Sequence, residues 1–326
     1  MNLASLINSI DPRELWLTAT ALSALALGWI VSSLLHRLGV TGEKLHRELI
    51  LRLRTWAIII PATVIPILIG PAGIAVAVLL LGVLCFREFA HATGLARDLP
   101  LFASVVAGLL IVAIAVFKHD YQLLLFSAPL VAVLSMGASL LRDQPEGYLK
   151  RIALTNLGFM LCGLWPGHLG FLGGLENNAA LLLWFILSTE LNDVFAFICG
   201  KTFGRTALCI HTSPGKTRGG LIGAMLLTST FVTLSGSLLF QGEMLGNPTL
   251  LIPLGLILSL SGTAGDLILS SIKRDLHLKD LANTLPGHGG LLDRCDSLLF
   301  AAPVVALALG LIHTLPTLQP LTTQLP

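Results

Sequence analysis

The sequence predicts an all-α, polytopic integral-membrane bundle of about ten transmembrane helices. Three observations carry this. The chain is 326 residues long and 54% hydrophobic, with a mean hydropathy of +0.84. Charged residues make up 12%, about half the ~25% of a soluble domain, too few to cover a water-facing surface. The apolar residues also collect in runs close to the ~20 residues that a helix needs to cross a bilayer. The same figures exclude disorder, and five cysteines over the whole length exclude a disulfide scaffold. A net charge of +2 and 6% aromatic residues argue against nucleic acid as a partner. No strand-period alternation supports a barrel.

In chain order, the first run is Leu15–Leu35. Met1–Ser9 lacks the basic start of a cleaved signal, so this run is expected to be a retained helix. Trp56–Gly70 and Ala72–Phe86 follow, each short enough to tilt, re-enter or merge with a neighbour. Leu101–Phe117 and Leu123–Leu141 are uninterrupted apolar spans, and Ile152–Trp165 is short again. Ala179–Ile198, Leu221–Phe240, Leu250–Ile272 and Leu298–Leu315 complete the series. No internal repeat, linker or low-complexity tract divides it. Residues 1–150 are expected to hold N-terminal transmembrane helices without a specific motif, and residues 151–326 the catalytic transmembrane region with its loops.

Charge orients the spans. Arg37, Lys44, Arg47, Arg52 and Arg54 fall in one loop region, Arg87 and Arg97 in another, and Arg142, Lys150 and Arg151 in a third. Lys201, Arg205, Lys216 and Arg218, then Lys273, Arg274, Lys279 and Arg294, complete the alternate loops. Only Arg13 and Lys118 remain for the other side. The positive-inside rule makes the rich side cytoplasmic, which with ten spans leaves both termini outside. Cys199, Cys209 and Cys295 lie near that reducing side, and no zinc-type spacing of Cys and His occurs.

Ionisable groups inside spans are costly and point to function. Here they concentrate in the second half: Glu190, Asn192 and Asp193 in the seventh span, Asp266 in the ninth. Glu190 and Asp193 share a helical face. Asp266, Ser270, Lys273 and Arg274 recur at helical spacing and form one polar stripe. Carboxylates with cations a turn or two further out suit a metal held against phosphates, and hard oxygen donors suit Mg²⁺. The loop beyond is dense in such groups, with Lys279, Asp280, Gly287, His288, Gly289, Gly290, Asp293, Arg294 and Asp296. Its glycines are expected to let backbone approach an anion. A second loop, with Lys201, Arg205, Ser213, Pro214, Lys216 and Thr217, suits a triphosphate although it lacks Walker spacing. Each piece also has a structural reading, as turn, cap or ordinary basic loop.

These residues resemble the phosphatidate cytidylyltransferase (CDP-diacylglycerol synthase) family. The family's C-terminal signature matches Ser270, Lys273-Arg274, Lys279-Asp280, Ala282, Leu285-Pro286, His288-Gly289-Gly290, Asp293-Arg294 and Asp296, and departs at Cys295. Asp193-Val194-Phe195-Ala196-Phe197, Gly200-Lys201 and Phe203-Gly204 are similar to the family's acidic span exit. Ser213-Pro214, Lys216-Thr217 and Gly220 are similar to its Ser-Pro-Lys-Lys-Thr-Trp-Glu-Gly loop, with Gly215, Arg218 and Gly219 as departures.

The resemblance implies that CTP and phosphatidic acid, or a similar lipid phosphate, become CDP-diacylglycerol and pyrophosphate at a bacterial inner membrane. Mg²⁺ would be held by Asp266 and Asp293 with Asp193 or Asp296, and a second, monovalent ion such as K⁺ stays open. Lys273, Arg274 and Arg294 would hold phosphates. Ser213, Pro214, Lys216 and Thr217 would contact the nucleotide, while Ser270, His288, Gly289 and Gly290 complete the substrate site. A homodimer is left open. The alternatives are a related cytidylyltransferase or CTP-dependent kinase acting on another lipid, and, in a different class, an ion-coupled secondary transporter using Glu190, Asp193 and Asp266.

Overall fold

The computed structural model describes residues 11–39, 42–141, 143–174, 179–285 and 289–314. They form the expected helical bundle. The helices are α1 (Pro12–Arg37), α2 (Glu43–Ile69), α3 (Pro71–Thr93), α4 (Leu99–Lys118), α5 (Tyr121–Leu140), α6 (Tyr148–Phe159) and α7 (Trp165–Gly174). After them come α8 (Ala179–Phe203), α9 (Arg218–Leu239), α10 (Pro248–Asp275) and α11 (Leu292–Thr314). A π-helical stretch, Met160–Leu164, joins α6 to α7, so the pair makes one pass. Eight of the described helices, all but α6, α7 and α11, are long and apolar enough by themselves to cross a membrane. The α6–α7 pass and α11 occupy the two remaining apolar runs.

Local chemistry sets the helix starts. Asp11, Asp120, Thr217 and Asn247 each accept a backbone N–H from the first turn of α1, α5, α9 and α10, which satisfies donors that a helix leaves unpaired. Pro12, Pro71 and Pro248 stand in first turns, where no N–H is required. A two-stranded antiparallel hairpin, β1 (Ala207–Cys209) with β2 (Ser213–Thr217), interrupts the all-helical pattern, pairing Ala207 with Thr217 and Cys209 with Ser213. The sequence does not announce it, because Ser-Pro-Gly-Lys-Thr has no apolar alternation.

Helices α8 to α11 pack as consecutive neighbours, α3 and the α6–α7 pass lie against them, and α4 packs behind on α3 and that pass. Lipid gives no hydrophobic drive between spans, so small residues and polar links hold them together. Gly255 of α10 lies so close to α9 that a Cβ there would stand 2.6 Å from Ser229 Cα. Buried Asn192 of α8 accepts from Thr228 of α9 (3.0 Å) and from Ser259 of α10 (2.6 Å). That link fixes three helices immediately beside Asp193.

Candidate active site

Five acids on three helices line one cavity of about 1150 Å³: Glu190 and Asp193 on α8, Asp266 on α10, and Asp293 and Asp296 on α11. Arg294, Lys273, Lys216 and Thr217 line it too, with Arg52 from α2. Residues from both halves of the chain therefore meet there.

Asp193, Asp266, Asp293 and Asp296 each have a local partner. Lys216 reaches from β2 to pair with Asp266 at 2.5 Å, and Ser270 Oγ donates to the same carboxylate at 3.1 Å. Ser297 Oγ donates to Asp193 at 3.0 Å and ties α11 to α8, while Ser297 N donates to Asp296 at 2.8 Å. Lys273 pairs with Asp293 at 2.8 Å, with both side chains largely buried. Among the described residues no three His, Cys, Asp or Glu side chains gather as a ready-made metal site. The carboxylates face a common space without converging on a point.

Asp293 does more than line the cavity. Its second oxygen accepts from Leu281 N (2.9 Å) and Gly290 N (3.1 Å), so it organises the loop before α11. The N–H of Gly290, expected to approach an anion, is taken by this carboxylate. What Gly290 supplies is space: a Cβ there would lie 2.6 Å from Glu88 Oε2 and 3.0 Å from Asp293 Oδ2. Gly289 has φ +82 and its carbonyl accepts from Leu285 N at 2.8 Å, a left-handed backbone that favours glycine.

Glu88, at the end of α3, is absent from the sequence-derived site. It is buried and accepts from Leu291 N and Leu292 N, both at 2.9 Å, and from Thr284 Oγ1. The start of α11 is thereby capped by a residue some two hundred positions upstream. Its only signal is an acid one residue from an apolar run, and adjacent Arg87 makes it look like an ordinary loop charge.

Arg274 does not join its stripe at the cavity. It is exposed and donates to the carbonyls of Leu278 (3.2 Å) and Thr212 (3.5 Å), while Asp266 and Lys273 face inward. Ser213 and Pro214 sit on β2 outside the cavity lining, whereas Gly215, Lys216 and Thr217 belong to it. The Thr217 hydroxyl caps α9 by accepting from Gly220 N at 3.1 Å. His288 lies outside the described residues.

The cytidylyltransferase family pattern matches residues 50–312. An Escherichia coli (strain K12) protein called YnbB, described as uncharacterized, is 31% identical over 296 residues, covering 88% of this chain and 95% of its own length. The phosphatidate cytidylyltransferase of Rickettsia typhi is 31% identical over 61% of this chain and 86% of its own. That of Aquifex aeolicus is 40% identical over 40% of this chain and 47% of its own.

Proposed function

The chain belongs to the cytidylyltransferase family, and on that premise we propose that it joins CTP to phosphatidic acid, giving CDP-diacylglycerol and pyrophosphate. The observation that carries this reading is one cavity holding five acids beside Lys216, Lys273, Arg294 and Arg52, and continuing into an apolar region. A transporter would use the acids but gives no reason for three basic loops to converge on them.

In the reaction, an oxygen of the lipid phosphate attacks the α-phosphorus of CTP in line. The new P–O bond forms as the bond to the β-phosphate oxygen breaks, and pyrophosphate leaves with that electron pair. Both reactants are anions, so the barrier is largely electrostatic. No strong base is required, because a phosphate monoester is already ionised near neutral pH.

Carboxylate oxygens are hard donors and suit Mg²⁺. Asp266, with Asp193 and Asp296, would hold it, and Asp293 would offer the oxygen now facing Lys273. The ion would supply charge neutralisation at the phosphates. Lys216 and Lys273 exchange a carboxylate partner for a phosphate when substrate enters, since a pair that is charge-balanced without ligand is the one that anionic ligand and cation can together replace. Arg294 adds a further cation. Thr217 sets the direction of α9 and thereby where Lys216 can reach.

The test is product analysis after incubating purified protein with labelled CTP, Mg²⁺ and a panel of lipid phosphates. Labelled CDP-diacylglycerol is expected with phosphatidate. Product only with another lipid phosphate would replace the substrate, and labelled product from a polyprenol would replace the reaction.

A further inference from the structure

The cavity does not end at the acids. Along α8, Leu183, Ile186 and Leu187 line it first, then Glu190 and Asp193, then Lys201. These positions fall on one helical face, which passes from apolar to acidic and, beyond Val194 and Phe197, to cationic. The eighteen steps from Leu183 to Lys201 cover about 27 Å at ~1.5 Å per residue, close to the ~30 Å thickness of the hydrocarbon core. A single ligand complementary to that face is an amphiphile with a chain at one end and phosphate at the other.

The opposite wall of the apolar arm comes from the N-terminal hairpin. Leu17, Ala21 and Leu25 of α1 and Trp56, Ile60 and Val64 of α2 face it. This wall is thinly supported, since 11% of the α1 span and 17% of the α2 span are buried inside the protein, against 44% for α8. Thin packing is what a wall needs if a chain must enter sideways from lipid. The volume, about 1150 Å³, exceeds the ~300–1,000 Å³ of a drug-sized ligand pocket, so polar and apolar arms can be filled together. Arg52, near the start of α2, lines the same cavity, and its ion pair with Glu48 is exposed. Such a pair is readily exchanged.

We infer that the apolar arm is a sleeve for a fatty acyl chain of the lipid-phosphate substrate, walled by α1 and α2, with Arg52 at its mouth holding the phosphate. This rests on the proposed reaction and adds to it a chain-length gauge built from the N-terminal helices. The gauge is closed by side-chain size at Ala21 and Ala24, the small residues of α1 that line it.

Two measurements test it. The first compares initial rates on long-chain and dioctanoyl phosphatidate for the wild type, Ala21→Trp and Ala24→Trp. Loss of long-chain turnover by tenfold or more is expected, with dioctanoyl turnover kept, which also reports intact folding. Equal effects on both lengths in both variants would overturn the sleeve. In the same assay Arg52→Gln is expected to raise KM for the lipid at least fivefold with KM for CTP unchanged, and the reverse pattern would remove Arg52 from the mouth.

The second measurement needs no turnover. A phosphatidate carrying a photoactivatable group at the acyl terminus is crosslinked to wild-type protein in vesicles. Adducts are expected on the inward positions of α1, α2 and the start of α8, and are expected to disappear in Ala24→Trp. Adducts confined to outward positions such as Leu15 and Leu22 would overturn the sleeve. Inward adducts in a protein that makes no CDP-lipid would instead overturn the reaction and leave the sleeve standing.

Discussion

Glu88 and Asp293 between them take the N–H groups of Leu281, Gly290, Leu291 and Leu292. A glutamine at position 88 offers one accepting oxygen and turns an N–H₂ toward a backbone N–H, leaving a buried donor unmatched at a cost of about 1–3 kcal/mol. Glu88→Gln is therefore expected to lower the melting temperature and depress turnover, although Glu88 does not line the cavity. Gly290→Val should be more severe, because its side chain would collide with both carboxylates. Asp266→Asn presents a different case: it keeps shape and removes a charge. Its fold, read by melting temperature and gel filtration, should be near normal while turnover falls by roughly 10²–10³. Near-normal turnover would take Asp266 out of the metal shell.

At the scale of elements, the β1–β2 hairpin and the first turn of α9 act together. Thr217 is the last residue of β2 and the cap of α9, and Lys216 beside it reaches Asp266. Thr217→Val removes the cap, at a cost of about 0.5–2 kcal/mol, and turns the strand that aims Lys216. KM for CTP should rise with the fall in stability, and Thr217→Ser should restore both. If Thr217→Ser recovers stability without recovering KM, the threonine touches nucleotide rather than only setting the turn.

The sequence made the spans legible because apolar length is a strong signal in lipid. It made Asp193 and Asp266 legible because acids in spans are rare, and Asp293 and Asp296 legible through the charged, glycine-rich loop that leads into the last span. The hairpin was hidden by a strand with no alternation. Glu88 was hidden by its neighbour Arg87. The cavity wall on α1 and α2 was hidden for a deeper reason: a face lining an apolar cavity and a face turned to lipid have the same composition. The helical spacing of Asp266, Ser270, Lys273 and Arg274 put all four on one stripe, yet Arg274 turns aside to loop carbonyls, since a long side chain at a helix end is not bound to its own face.

For the whole molecule, contacts rather than charge counts show that the basic loops share one end of the bundle. Glu88, beside Arg87, holds the loop before α11. Lys216 and Arg52 line the same cavity as Lys273 and Arg294, and Arg97 shares a smaller one with Lys150 and Arg151. Arg13, one of two basic residues outside these loops, instead pairs with Glu243 at 2.7 Å in the connection between α9 and α10. The positive-inside rule predicts that the basic end faces the cytoplasm, which would put the cavity mouth on the side where CTP is made. Cys209 on β1 is half-buried at that end, while Cys85, Cys162 and Cys199 are buried. In a Cys295→Ser background, a membrane-impermeant maleimide is expected to label Cys209 in inside-out vesicles and to leave it unlabelled in intact cells. Adding Glu243→Cys, at the other end of the bundle, should create a site labelled in intact cells. An exchange of the two patterns would reverse the orientation and, since CTP could no longer reach the acids, would remove the proposed reaction with it.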